Sequence, residues 1–158
     1  MYFVTICTHQ RECLLGEIEN GQMFLNQYGK VVNDEWLRTA KVRSNVLLDT
    51  FVVMPNHLHG IIIITDVVGA TRRVAPTGLP NGPKSGSVGA MIGQFKSIVS
   101  KRINRVYDTS CAVLWQRNYY EHIIRNEKSL NKIRQYIIEN PLYWDLDEEN
   151  PINVKTKF

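Results

Sequence analysis

The chain contains little cysteine, and its apolar runs are short. Its 158 residues include three cysteines, an odd number without a CxxC pair, so we expect reduced thiols and neither a disulfide framework nor a cysteine-based zinc site. Apolar runs such as residues 61–64 are far shorter than the roughly 20 residues needed to cross a bilayer. The N-terminus lacks the basic and then apolar pattern of a secretory signal. These absences predict a cytoplasmic protein without a membrane partner, and the length predicts one main domain.

Acidic residues are nearly missing from the middle of the chain. Residues 66–107 contain seven basic residues and one acid, a net charge of +6, whereas the whole chain carries +4. Residues 139–150 show the opposite bias, with five acids and no base. A one-sided basic surface favours a polyanion such as nucleic acid, although a solvated helix face explains the charge equally well.

The hydrophobic periodicity predicts an alternation of strands and helices. Strands are expected at 2–8, 46–54, 57–65 and 114–125, helices at 26–43, 87–107 and 127–140, and a hairpin over 14–25 around Asn20-Gly21. Residues 66–86, rich in glycine and proline, are predicted to form a mobile basic loop. The expected fold class is α+β, a ferredoxin-like or RRM-like sandwich with a mainly antiparallel sheet. We place one domain at 1–144 and an acidic C-terminal tail at 145–158.

Two of the four histidines flank Leu58 on a predicted strand. Because strand side chains alternate, His57 and His59 should point to one face while Leu58 points to the other, toward the core. Two imidazoles leave a divalent ion with open positions for a substrate oxygen, which suits catalysis. An isolated HxH is more often a pair of ordinary polar positions on a half-exposed strand.

The last predicted helix carries Tyr136 and Asn140 one turn apart on one face. Both positions border the apolar stripe that should pack on the sheet. Taken singly, Tyr136 is typical of a tyrosine at the edge of a core, and an asparagine before proline is typical of a helix end.

Together these residues resemble the HUH endonucleases with a single catalytic tyrosine, and in particular the REP-associated tyrosine transposases of bacteria. Residues 115–125 (WQRNYYEHIIR) are similar to that group's W-Q-R-x-aromatic-aromatic-acid-H-x-I-R signature. Residues 136–141 (YIIENP) resemble its Y-I-x-x-N-P, and residues 95–97 (FKS) stand where its F-K-S does. With the histidine pair, four motifs occur in the right order over nearly the whole chain.

The resemblance implies a transposase that nicks and joins single-stranded DNA through a 5′-phosphotyrosine intermediate, acting on hairpin or repeat DNA. It makes Tyr136 the nucleophile, His57 and His59 metal ligands, Asn140 the third protein ligand, and Mg²⁺ or Mn²⁺ the cofactor. Single-stranded or hairpin DNA is the implied partner, and a homodimer is left open. Basic and aromatic residues are expected to bind the DNA phosphates and bases: Arg72, Arg73, Lys96, Lys101, Arg105, Tyr119 and Tyr120. For Tyr119 and Tyr120, packing within the protein without any contact to DNA is an equally good interpretation.

Two rival classes remain open from the sequence. A non-catalytic RRM-like module that binds single-stranded nucleic acid would share the predicted sheet, but it needs stacking aromatics where His57 and His59 stand. A histidine-triad nucleotide hydrolase would need a third histidine at position 61, which is isoleucine.

Overall fold

The structure is a computed structural model that describes residues 1–65, 86–108 and 113–153. Its strands are β1 (Tyr2–Cys7), β2 (Gly16–Glu19), β3 (Gln22–Leu25), β4 (Val46–Val53), β5 (His57–Ile64) and β6 (Tyr120–Ile123). Its helices are α1 (Gln27–Lys41), α2 (Val88–Tyr107) and α3 (Glu127–Glu139), with single 3₁₀ turns at His9–Arg11 and Trp144–Leu146. None of these described helices is both long and apolar enough to cross a membrane.

Four strands form an antiparallel sheet in the order β4-β5-β1-β6. The hairpin of β2 and β3 forms a separate two-stranded sheet. Apart from that hairpin, the chain order is strand, helix, two strands, helix and strand, with β1 and β5 in the centre. This is the ferredoxin-like arrangement. The predicted α+β fold with a mainly antiparallel sheet is confirmed.

The ends of the elements follow local chemistry. The side chain of Asn26 accepts hydrogen bonds from the first turn of α1, and Ser87 caps α2 by accepting from Ala90 N. Asn20 and Gly21 have φ angles of 51° and 72°, as a tight hairpin turn between right-twisted strands requires. The predicted hairpin and helix starts are therefore confirmed.

The sheet separates two apolar clusters. Leu58 and Ile62 of β5 pack with α1 and α2, whereas Ile61 packs with α3. At Gly60 an added Cβ would lie 2.4 Å from the Trp36 ring, so this glycine lets α1 approach the sheet closely. The helices α1 and α2 cover one face of the sheet, and α3 covers the face that carries His57 and His59.

The predicted strand over 114–125 is wrong in its first half. Trp115 forms only an isolated bridge with Thr8, and β6 begins at Tyr120. Backbone bonds hold the start of the segment, where Gln116 N donates to the Cys7 carbonyl at 3.0 Å. Beyond that point the carbonyls of Gln116 and Asn118 accept hydrogen bonds from the Lys96 ammonium group, at 2.8 Å each.

Some predictions concern residues outside the described ranges. Arg72, Arg73 and the loop at 66–86, apart from Gly86, lie there, as do the last five residues of the predicted tail. Cys111 also lies outside, whereas Cys7 and Cys13 are free thiols, as predicted.

Candidate functional site

His57 and His59 open the central strand β5 and lie on the same face, as the alternation predicts. Both side chains are buried, with 0% and 3% exposure. Their Nε2 atoms lie 3.0 Å apart. The alternative interpretation, two polar positions on a half-exposed strand, does not hold, because α3 and residues 144–149 cover the pair.

Asn56 fixes the orientation and protonation of the first imidazole. Its Nδ2 donates to the carbonyl oxygens of Arg11 and Glu149, at 2.9 and 2.7 Å. Its Oδ1 therefore faces His57 Nδ1, at 2.8 Å, and accepts a hydrogen bond from it. This leaves a lone pair on His57 Nε2, directed into the space shared with His59. Thr5 Oγ1 holds His59 Nδ1 in a similar way, at 2.8 Å.

Asp147 is the third member of the cluster. Its carboxylate is buried, and its Oδ2 lies 3.9 Å from His57 Nε2. One ligand atom from each of Asp147, His57 and His59 lies within 4.8 Å of the others. The sequence does not indicate Asp147 as a ligand, because it belongs to the acidic tail and nothing distinguishes it from its exposed neighbours Asp145 and Glu148.

The segment that carries Asp147 is held against the body of the domain. Glu149 Oε2 accepts a hydrogen bond from Arg11 Nε at 2.6 Å, and Glu149 N donates to Asp147 Oδ1 at 2.7 Å. Asn150 is buried and donates to the carbonyl of Trp144. These bonds orient the Asp147 carboxylate toward the histidines.

Asn140, the predicted third ligand, lies in the same cluster. Its Nδ2 donates to Asp147 Oδ2 at 2.6 Å, whereas its buried Oδ1 accepts no hydrogen bond from the described residues. A buried amide oxygen without a partner is costly, and oxygen-preferring cations use such atoms as ligands. Two imidazoles, a carboxylate and an amide oxygen form a donor set that fits a divalent metal ion.

Burial keeps both imidazoles neutral. Desolvation lowers the pKa of His57, although the charges of Asp147 and Glu149 oppose the shift. Desolvation also lowers the pKa of His59 well below its ordinary value, and a charge on His57 lowers it further. Because a metal binds the neutral imidazole, protons compete little for these nitrogens at neutral pH.

Tyr136 reaches the cluster from α3. Its hydroxyl lies 3.1 Å from His59 Nε2, and its ring contacts the rings of His59 and Phe3. The side chain is still 46% exposed, so a substrate can reach it. Burial, followed by the charges of Asp147, Glu148 and Glu149, raises the pKa of Tyr136 to about 12, and a hydrogen bond from Asn140 opposes the shift. The phenol is therefore protonated at neutral pH unless a cation lies beside it.

An ion pair fixes α3 to β4. Arg134 donates from Nε to Asp49 Oδ1 at 2.9 Å and from Nη2 to Asp49 Oδ2 at 2.6 Å. Asp49 stands where the register of β4 shifts, between Leu48 and Phe51. A bidentate pair restricts both the rotation and the sliding of a helix, so Tyr136 is held in place over the histidines.

Comparison with known proteins gives a relative by sequence. The chain is 42% identical over 154 residues to an uncharacterized protein of Haemophilus influenzae, covering 93% of this chain and 83% of the relative. The chain belongs to the family of this Haemophilus protein. No protein-family model matches the chain.

Solved structures of other proteins share the fold of this chain. One is a REP-associated tyrosine transposase bound to a REP hairpin, with a TM-score of 0.61, 17% identity, and coverage of 93% of this chain and 69% of that one. Another is a candidate transposase from Deinococcus radiodurans R1, with a TM-score of 0.51, 16% identity, and coverage of 89% and 88%. Both similarities concern the fold.

The three basic residues of α2 that are predicted to bind DNA do not form one surface. Lys96 is half-buried and bonds to backbone carbonyls, whereas Lys101 and Arg105 are exposed. At about 100° per residue, Lys96 and Arg105 lie about 180° apart around the helix. Since α2 packs on the sheet face opposite the histidines, Lys101 and Arg105 lie on the other side of the sheet from Tyr136.

The two predicted stacking tyrosines also differ. Tyr119 is half-buried and donates to Glu121 Oε2 at 2.5 Å, and burial together with this bond raises the pKa of Tyr119 to about 12. Tyr120 is 58% exposed and meets Phe3 edge-on. Of the two, Tyr120 presents the accessible ring.

Asn56→Ala is expected to weaken Mn²⁺ binding by roughly 10- to 100-fold, because His57 loses the partner that orients it. Isothermal titration calorimetry measures this affinity. The control is Thr8→Val, which removes buried hydrogen bonds to Asn56 O and Glu12 O in the same region and leaves the Asn56 side chain in place. Equal loss of affinity in both variants would show that Asn56 acts only through stability.

Proposed function

We propose that the chain is a metal-dependent endonuclease and strand transferase of the tyrosine transposase type, acting on single-stranded DNA. The observation that carries this proposal is the position of Tyr136. Its hydroxyl lies 3.1 Å from His59 Nε2, at a buried group of two histidines and one aspartate that could hold a metal. A tyrosine beside such a group suits phosphoryl transfer, because it combines a nucleophile with a site for charge stabilisation.

His57, His59, Asp147 and the unpaired Oδ1 of Asn140 would hold the ion, which we propose to be Mg²⁺ or Mn²⁺. When bound, the ion supplies positive charge that favours ionised Tyr136 and polarises the scissile phosphate. The protein's own contribution is to fix the ligands before the substrate arrives. Asn56 and Thr5 orient the imidazoles, and the backbone of Glu149 orients the carboxylate.

In the proposed reaction Tyr136 attacks the scissile phosphorus. The phenol proton passes to solvent, a bond forms between Tyr136 Oη and phosphorus, and the bond from phosphorus to the 3′ oxygen breaks. The 3′ oxygen takes a proton from water, which leaves a free 3′ hydroxyl and a 5′-phosphotyrosine. Attack of a 3′ hydroxyl on that ester reverses the step, so strands are rejoined without an energy source.

The substrate we propose is DNA with a single-stranded segment next to a hairpin or repeat. In-line attack by a tyrosine mounted on a fixed helix needs a strand that can adapt to it. The transposase of similar fold was solved with a REP hairpin bound, which supports a hairpin as the partner. The test is incubation of the protein with labelled hairpin DNA and Mn²⁺. A slow-migrating protein–DNA band on denaturing electrophoresis supports the proposal, and its absence for all hairpins tested contradicts it.

Lys101 and Arg105 lie on the sheet face opposite Tyr136, so replacing both with alanine tests whether bound DNA extends around the domain. If both residues contact phosphates, the slope of log K against log salt for single-stranded DNA should flatten by about 1.4. Each lost phosphate contact contributes about 0.7 to that slope. A Lys128→Ala, Lys132→Ala variant makes the same change in net charge at two exposed lysines of α3, the helix that carries Tyr136, and gives the slope change for charges beside the proposed nucleophile. If the slope stays at the value of the unaltered protein, Lys101 and Arg105 do not contact phosphates.

A further inference from the structure

A recess lies beside Tyr136, between the last turn of α3 and the segment that follows it. Its cavity volume is about 380 Å³, within the usual range for small-ligand pockets. The recess is lined by Tyr136, Asn140, Tyr143, Leu146, Asp147 and Glu148. Three of these residues belong to the candidate catalytic site, so anything bound in the recess lies next to the nucleophile.

One wall of the recess is apolar and exposed. Tyr143 is 51% exposed and Leu146 is 79% exposed, and neither side chain belongs to the two apolar clusters of the core. Neighbouring exposed apolar side chains often mark a binding site. An aromatic ring beside an aliphatic side chain offers a stacking surface for a flat, unpaired base.

The other wall is acidic. Asp147 and Glu148 line the recess, and the charge of Glu149 acts on Tyr136 together with theirs. These carboxylates repel a phosphate group, so the recess does not suit the DNA backbone. A carboxylate accepts hydrogen bonds from the exocyclic amino group of cytosine or adenine, and thymine has no such group.

We propose that this recess binds the unstacked nucleobase next to the phosphate that Tyr136 attacks, and that it prefers a base with an exocyclic amino group. The inference rests on the proposed function, because it assumes that a DNA strand runs past Tyr136. A phosphate within reach of the Tyr136 hydroxyl brings its neighbouring nucleoside to the mouth of the recess. Tyr143 stacks on that base, and Glu148 accepts from its amino group.

The test uses fluorescein-labelled dC₁₂ and dT₁₂ with Mn²⁺, measured by fluorescence anisotropy. All variants carry Tyr136→Phe so that no covalent bond forms. In this background we expect dC₁₂ to bind more tightly than dT₁₂. Adding Tyr143→Ala should weaken dC₁₂ binding by roughly 5- to 150-fold, the range for a lost stacking contact. The matched variant Tyr143→Phe keeps the ring and should retain the affinity.

Adding Glu148→Gln instead tests the preference between bases. Loss of the negative charge should strengthen binding of both oligonucleotides, so the informative value is their ratio. We expect the ratio of the dT₁₂ and dC₁₂ dissociation constants to fall toward one. Both Tyr143 and Glu148 are exposed, so thermal melting of these variants should match the Tyr136→Phe parent.

Equal dC₁₂ affinity of the Tyr143→Ala and Tyr143→Phe variants would overturn the inference. A change in sedimentation with unchanged dC₁₂ affinity would assign the recess to a second copy of the chain, and would overturn it as well. Failure of the proposed function has a different signature, because the protein with Tyr136 intact would then form no covalent adduct with any hairpin DNA.

Discussion

Tyr136→Phe is expected to lower the yield of the covalent protein–DNA adduct by more than about 10³-fold, because it removes the only atom that forms the bond. The substitution leaves the ring contacts with His59 and Phe3 in place. Metal binding and DNA binding should therefore change little. The assay is denaturing electrophoresis of protein incubated with labelled hairpin DNA and Mn²⁺, with calorimetry of Mn²⁺ binding alongside.

Tyr120→Phe and Tyr143→Phe are the matched controls for this prediction. Both residues carry exposed phenols, and among the described residues neither hydroxyl bonds to the histidine pair. Each control should retain the adduct. An adduct that persists in Tyr136→Phe, or peptide mapping that places the nucleotide on Tyr120 or Tyr143, would show that the proposed nucleophile is wrong.

The double substitution His57→Ala, His59→Ala is expected to remove Mn²⁺ binding and the adduct together. At a Mn²⁺ concentration near 100 times its dissociation constant, ligand binding adds about 2.7 kcal/mol to stability. For a chain of this size that corresponds to a rise in Tm of roughly 5 to 10 °C. The unaltered protein should show this rise, and the double variant should show none. Calorimetric titration gives the affinity directly.

Asp147→Asn and Asp145→Asn form a matched pair of variants for the same cluster. Asp147 is buried beside the histidines, whereas Asp145 is exposed two residues away. We expect a loss of Mn²⁺ affinity only in the first variant, because a neutral amide is a weaker ligand than a carboxylate. Mn²⁺ binding by the double histidine variant as tight as that of the unaltered protein would contradict the proposed ligand set.

The sequence predicts much of this fold because the decisive signals are local. Capping by Asn26 and Ser87, the Asn20-Gly21 turn, and the alternation around Leu58 each act over a few residues. The spacing of Tyr136 and Asn140 also follows from helix geometry alone. The resemblance to tyrosine transposases adds their roles, which remain predictions.

What the sequence does not predict depends on contacts between distant segments. Asp147 becomes buried through bonds of its segment to Arg11 and Asn56, more than ninety residues earlier in the chain. Lys96 leaves the predicted DNA surface because its ammonium reaches carbonyls twenty residues later. The same two bonds explain why β6 is shorter than its β-rich sequence indicates. The hydrophobic periodicity of a sequence does not indicate hydrogen-bond partners that are so distant along the chain.

The ion pair of Arg134 and Asp49, which fixes α3 to β4, predicts how mixtures of defective chains would behave in the proposed reaction. Because Tyr136 and His59 of one chain already meet, each chain carries all the residues that we propose for catalysis. A chain with Tyr136→Phe and a chain with His57→Ala and His59→Ala lack different parts of that set. If chains exchanged their helices, an equimolar mixture of the two would regain adduct formation by complementation. With α3 fixed to its own β4, the mixture should stay inactive, and the rate for the unaltered protein should rise in direct proportion to its concentration.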